Sequence, residues 1–218
     1  GIANKIEIIF DYFLTFIECL FDIFCFIEQK LYYLSMDKRE ERTLESVYNS
    51  LSKLIKTKDY ESLKVEDILK EANISRSTFY AHFKSKDDVL SSFCDQLFAH
   101  VFSFSPKKEN SHDFSHTDYV PRQVMIHLAI HIYEDKDLIG AILKSSGRSI
   151  FTSRFSNLSA SLIEKVVYSY ELYKEEVPIK LQCLQLTDSF VSILCHWVEM
   201  GTIVSPETII DYFYRLHI

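Results

Sequence analysis

Apolar positions recur at helical spacing along nearly the whole chain. Leu44, Val47, Tyr48, Leu51, Leu54 and Ile55 fall at i, i+3, i+4, i+7, i+10 and i+11, which is one face of a helix of about four turns. Residues 56–63 (KTKDYESL) break that period. Val65, Ile68, Leu69 and Ala72 mark a second, shorter helix, and Asn73 after them tolerates the left-handed conformation of a tight turn. Ser75 is placed to cap a third helix, in which Phe79 and Phe83, four apart, pack inward together. Arg76, Ser77, Thr78, Tyr80 and His82 are left to face elsewhere. Ser85, with Asp88 at the third helical position, opens a fourth helix.

Beyond residue 90 the same period predicts helices at 92–105, with Phe93, Leu97, Val101 and Phe104 inward, and then at 119–134, 137–144, 151–173 and 179–200. The polar run 106–118 (PKKENSHDFSHTD) reads as a loop. Gly201 stops a helix, and Ser205 with Pro206 starts the last one. Glycine and proline number only 4 each. So few turn formers exclude a β-rich or α/β chain, and the expected fold class is all-α. Leu181, Leu184, Leu186, Phe190, Ile193, Leu194 and Trp197 are spread around residues 179–200, more apolar surface than one buried face needs. A subunit interface, and hence a homodimer, accounts for the surplus.

Residues 6–27 (IEIIFDYFLTFIECLFDIFCFI) look like a membrane span until their charges are placed. Glu7, Asp11, Glu18 and Asp22 lie on one narrow helical stripe. Four carboxylates at bilayer depth would cost several kcal/mol, and no basic cluster flanks them. An amphipathic helix is expected instead, with no stable membrane association. Met36 leaves two origins open for residues 1–35: a native surface-seeking extension, or a non-native segment upstream of the natural start.

Composition adds little to this. Net charge is −7, yet residues 36–90 balance 11 basic against 11 acidic side chains, while 1–35 and 91–218 are acidic. A phosphate-facing surface therefore fits best in the middle segment. Five cysteines, odd in number and without a C-x-x-C pair, fit reduced thiols in a cytoplasm. His127 and His131 stand at i, i+4 and could share a metal, but no third ligand is implied by spacing, so core histidines are the expectation. No phosphate loop, nucleophile elbow or paired-acid motif is present, which leaves neither an enzyme nor a cofactor to argue for. Phe98, Phe102, Met125 and Trp197 are pocket candidates by composition alone.

Helix, short turn, short helix is the geometry that lays a second helix in a major groove, where its N-terminal residues reach base edges. Here those are Arg76, a bidentate donor suited to guanine, and the small hydroxyls Ser77 and Thr78. Tyr80, His82 and Lys86 carry donors suited to phosphate. The pattern S-x-x-T-Φ-Y-x-H-F-x-x-K, met by Ser75, Thr78, Phe79, Tyr80, His82, Phe83 and Lys86, resembles the DNA-binding unit of the TetR/AcrR family over about 50 residues. The resemblance places base contacts at Arg76, Ser77 and Thr78, and phosphate contacts at Tyr80, His82 and Lys86. Relatives often carry threonine where Lys64 and Val65 stand, so Lys64 would offer phosphate a charge in place of a hydroxyl. Asn73 likewise stands where glycine is common. Residues 196–208 (HWVEMGTIVSPET) resemble one C-terminal class of the same family, which implies dimerisation through residues 179–200 and neighbouring helices.

The expected organisation is an N-terminal extension at 1–35, a three-helix helix-turn-helix DNA-binding domain at 36–90, and a helical ligand-binding and dimerisation domain at 91–218. The expected function is that of a dimeric, sequence-specific transcriptional regulator: a repressor on double-stranded operator DNA, released by a small-molecule effector. The competing reading is a TetR-like chain whose body docks a protein partner, with DNA binding secondary or lost.

Overall fold

The structure, a computed structural model, describes residues 38–102, 120–172, 174 and 176–217, without the side chains of 99, 100 and 102. The expectations for residues 1–35, the loop at 106–118, Phe104 and the Phe102 side chain lie outside these. The chain divides into two compact units, Gly1–Leu44 and Glu45–Ile218. The first is described only from Lys38, where the opening turns of a helix begin.

Among the described residues the secondary structure is wholly helical. The α-helices are α1 (Lys38–Thr57), α2 (Val65–Ala72), α3 (Arg76–His82), α4 (Lys86–Phe102), α5 (Pro121–Glu134), α6 (Lys136–Leu143), α7 (Arg148–Ser169), α8 (Ile179–Glu199) and α9 (Pro206–His217), with a 3-10 turn at Tyr60–Ser62. Several residues picked out by period and caps sit where they were expected. Val47, Leu51 and Ile55 are buried on α1, and Gly201 ends α8 at φ 83°. The amide of Thr208 donates to the Ser205 hydroxyl at 3.3 Å to start α9. None of the described helices is long and apolar enough to cross a membrane.

In the second unit, α4 packs on α5 and α7, α7 on α8, and α9 closes on α5 and α8. Aromatic rings build much of the core among the described residues. Phe98 of α4 stacks on Phe155 of α7 with centroids 5.2 Å apart. Phe155 meets Phe190 of α8 at 6.3 Å, and Phe190 meets Phe213 of α9 edge-on at 5.2 Å. All four rings are fully buried, so one column of aromatic contacts ties four helices together. Arg154 of α7 grips both carboxylate oxygens of Asp95 on α4, with Nε to Oδ1 at 3.0 Å.

The phase of α4 differs from expectation. Val89, Leu90, Cys94, Phe98 and Val101 are its buried residues, whereas Phe93 and Leu97 are only half-buried. The helix runs unbroken from Lys86, and Leu90 lies on the same inner face as Phe98. Phe98, Met125 and Trp197, the described pocket candidates, are fully buried in the packed core. The Trp197 indole donates to the Val204 carbonyl at 3.1 Å and so fastens the α8–α9 turn.

His127 and His131 are buried, with their Nε2 atoms 3.0 Å apart and Glu134 Oε2 3.4 Å from His131 Nδ1. A hydrogen-bonded core pair is the arrangement observed. Among the described residues no three His, Cys, Asp or Glu side chains converge as a metal site. Burial pushes the Cys94 thiol up to about 12 and that of Cys195 up to about 11, so both stay protonated and inert.

Candidate nucleic-acid interface

The helix-turn-helix is built from its caps outward. At the head of α2 the Lys64 backbone amide donates to Asp67 Oδ2 at 2.8 Å. Lys58 Nζ donates to the same oxygen at 2.7 Å. These two bonds, the lysine first, hold the Asp67 carboxyl below the usual carboxylate range. Asn73 closes α2 in the left-handed conformation, at φ 53° and ψ 47°, and the Ile74 amide returns to the Leu69 carbonyl at 3.2 Å.

Ser75 then caps α3. Its hydroxyl accepts from the Thr78 amide at 3.1 Å and lies 2.8 Å from both Ser77 Oγ and Thr78 Oγ1. One cap residue therefore orders the two hydroxyls expected to read bases. Phe79 and Phe83 anchor the opposite side of α3. Both are buried, their centroids are 5.6 Å apart, and Phe83 meets Tyr48 of α1 edge-on at 6.0 Å. Helix α3 is thus held by an aromatic root, with its first turn exposed.

The expected DNA-facing residues divide into two groups. Lys64, Arg76, Ser77 and Tyr80 are exposed, and Thr78 is partly so. Tyr80, 55% exposed, rests its ring edge-on against Phe79. Arg76 is already engaged, its Nη2 donating to Glu66 Oε1 of α2 at 2.7 Å. His82 is half-buried beside the Phe83 ring.

Lys86 is different: its ammonium donates to the Tyr60 carbonyl at 2.6 Å and the Glu61 carbonyl at 3.3 Å, over the Tyr60 ring. It holds the 3-10 turn, a task its sequence position did not disclose. Glu66, Lys58 and Tyr60 were likewise missed, because their partners lie 9 to 27 residues away, outside any helical period.

A capped, aromatically rooted reading helix on an all-α body defines a DNA-binding regulator of the helix-turn-helix class. Comparison with known proteins narrows the class. Residues 50–93 match the family model described as "Bacterial regulatory proteins, tetR family", and residues 120–217 match a "Transcriptional regulator C-terminal region". The HTH-type transcriptional regulator EthR of Mycolicibacterium smegmatis is 41% identical over 63 residues, 29% of this chain and 27% of that protein. A crystal structure of a TetR transcriptional regulator from Streptococcus agalactiae superposes at a TM-score of 0.59 with 26% identity, covering 83% of this chain and 96% of that one. Thermus thermophilus FadR, a TetR-family transcriptional repressor solved with lauroyl-CoA, shares the fold at a TM-score of 0.52 and 18% identity, over 79% and 92% of the two chains. Sequence matches span between 21% and 35% of the curated relatives' own lengths. The chain belongs to the TetR family of bacterial transcriptional regulators.

Proposed function

We propose that this chain is a dimeric repressor that reads a partly palindromic operator with residues 36–90 and senses a small-molecule effector through residues 91–218. The carrying observation is the exposed first turn of α3. Arg76, Ser77 and Thr78 stand there together, the two hydroxyls ordered by the Ser75 cap and the helix rooted by Phe79 and Phe83. Arg76 reads a base edge, while Lys64, Tyr80 and His82 hold phosphate oxygens. Lys86, with two of its three donors given to carbonyls, has one left for the backbone. Repression and a small-molecule effector are in keeping with the T. thermophilus FadR, a repressor of the same fold solved in complex with lauroyl-CoA. Two subunits related by a two-fold axis place their reading helices on half-sites about one helical turn apart, or a multiple of it.

Fluorescence anisotropy on DNA upstream of the chain's own gene, over a salt series, tests this reading. Specific binding with a steep negative salt slope is expected. Replacement of Arg76 by Ala should cost about 1–3 kcal/mol on the specific site alone. A folded dimer that shows no preference for any duplex would turn the assignment towards a protein partner for the body.

A further inference from the structure

The first turn of α2 carries two adjacent carboxylates with different tasks. Asp67 is the structural one: it accepts from the Lys64 amide and from Lys58, and so caps its own helix. Glu66 has no part in that cap. Its partner is Arg76 on the next helix, Oε1 to Nη2 at 2.7 Å, with the two side chains 56% and 68% exposed. An ion pair so open to water adds little to folding, so stability does not explain why the two side chains meet.

We infer that Glu66 is a positioning residue for base recognition, fixing the Arg76 guanidinium so that its remaining donors face one base edge. The inference rests on the reading of α3 as the DNA-recognition helix. A guanidinium carries five N–H donors in a rigid planar fork. Glu66 takes a donor at Nη2 and leaves the others for a paired acceptor such as guanine O6 and N7. An arginine without such a partner samples many rotamers and can drop onto the nearest phosphate, which carries no sequence information. The carboxylate also repels phosphate, so Arg76 engaged with Glu66 is steered away from the strand backbone and towards the bases. Thr78 and Ser77, tied to the Ser75 hydroxyl, leave the neighbouring positions equally ordered.

The test is selection of binding sites from randomised duplexes by the full chain, run in parallel with Arg76→Ala, Glu66→Ala and Glu66→Gln. Arg76→Ala should relax one base pair per half-site by about 5- to 100-fold. Glu66→Ala should relax the same base pair at least about fivefold while raising affinity for all duplexes. Glu66→Gln keeps an acceptor for Nη2 but loses the charge. It should raise general affinity similarly and retain most of the base preference. In the Arg76→Ala background, Glu66→Ala should change no base preference further. If Arg76→Ala relaxes a base pair and Glu66→Ala shifts all sequences equally, the positioning role is overturned and the recognition helix stands. If Arg76→Ala itself alters no preference, both fall together.

Discussion

Tyr60 and Asp87 are joined by a hydrogen bond of 2.7 Å, the phenol donating to the carboxylate. Burial and the adjoining Asp87 carboxylate push the Tyr60 hydroxyl well above the usual phenol range, so it remains a donor at any working pH. The Tyr60 carbonyl in turn accepts from Lys86, the neighbour of Asp87 in the first turn of α4. Two consecutive residues of α4 thus clamp the 3-10 turn that leads into α2. Tyr60→Phe should lower unfolding free energy by about 1 kcal/mol, read from urea titration. Lys86→Ala should cost about 1–2 kcal/mol of stability as well as DNA affinity. An unchanged urea midpoint for Lys86→Ala would return that residue to a purely DNA-facing role.

Gly147 opens α7 against Leu90 of α4 and Tyr60 of the 3-10 turn. A Cβ there would lie 2.9 Å from Leu90 Cδ2, 3.3 Å from Ser145 Oγ and 3.5 Å from Tyr60 Cδ1. Its φ of −70° suits any residue, so space rather than backbone is the constraint. Leu90 is fully buried and has little room to give. Gly147→Ala should therefore destabilise the chain by about 1–2 kcal/mol and disturb the Tyr60 clamp, lowering operator affinity as well. Thermal melts and anisotropy check the pair of effects, and a variant with wild-type values for both would show that Leu90 can move aside.

These two sites show where sequence reading succeeds and where it stops. Ser75, Asn73, Phe79 and Phe83 were legible because each acts through neighbours within about one turn: a cap, a left-handed turn, an i, i+4 pair. The all-α class and the α8 stop at Gly201 followed from composition and local chemistry in the same way. The inner face of α4 was not legible. Its phase is chosen by Phe151 and Phe155 of α7, more than 50 residues away, which select Phe98 rather than Leu97. The clamp of Tyr60 and the pairing of Glu66 with Arg76 join separate elements, and no period encodes them. The exposure of Arg76, Ser77 and Tyr80 on the first turns of α3 was legible in the same local way as the caps. The engagement of donors on Arg76 and Lys86 appears only once the elements are packed.

Acid sensitivity should follow from His217. Its Nε2 lies 2.7 Å from Ser189 Oγ of α8, and its ring packs 4.9 Å from that of Phe213. Burial holds the imidazole below its ordinary value of 6.5, so the folded chain favours the neutral form. The unfolded chain takes up the proton first as pH falls. The contribution is therefore intact above 6.5 and is lost as pH drops towards the folded value. Urea unfolding at about pH 7.5 and about pH 5.5 should show a larger acid loss for wild type than for His217→Gln. Equal losses in the two proteins would remove His217 from the account.

Subunits should pair through the exposed stripe of α8 and α9. Leu181 and Leu184 stand three residues apart on α8, each 55% exposed, and Leu216 and Tyr212 of α9 are 69% and 45% exposed. Asp188, Ser189 and Ser192 continue the α8 surface beside the two leucines. Aliphatic side chains this open contribute little to the fold of one subunit, yet they leave an apolar stripe in water. A two-fold interface would cover that stripe with its own copy, each leucine meeting the same patch on the partner. Leu184→Glu should then leave the monomer folded, with stability within about 0.5 kcal/mol of wild type. It would set two like charges into one dry seam and separate the subunits. Sedimentation should show wild type as a dimer and Leu184→Glu as a monomer at micromolar concentration. Loss of two-site binding should weaken operator affinity by about a hundredfold or more, while a single half-site is bound as before. A wild-type monomer would remove the dimer and two-site binding altogether, and a Leu184→Glu dimer of undiminished affinity would place the subunit contact elsewhere on the body.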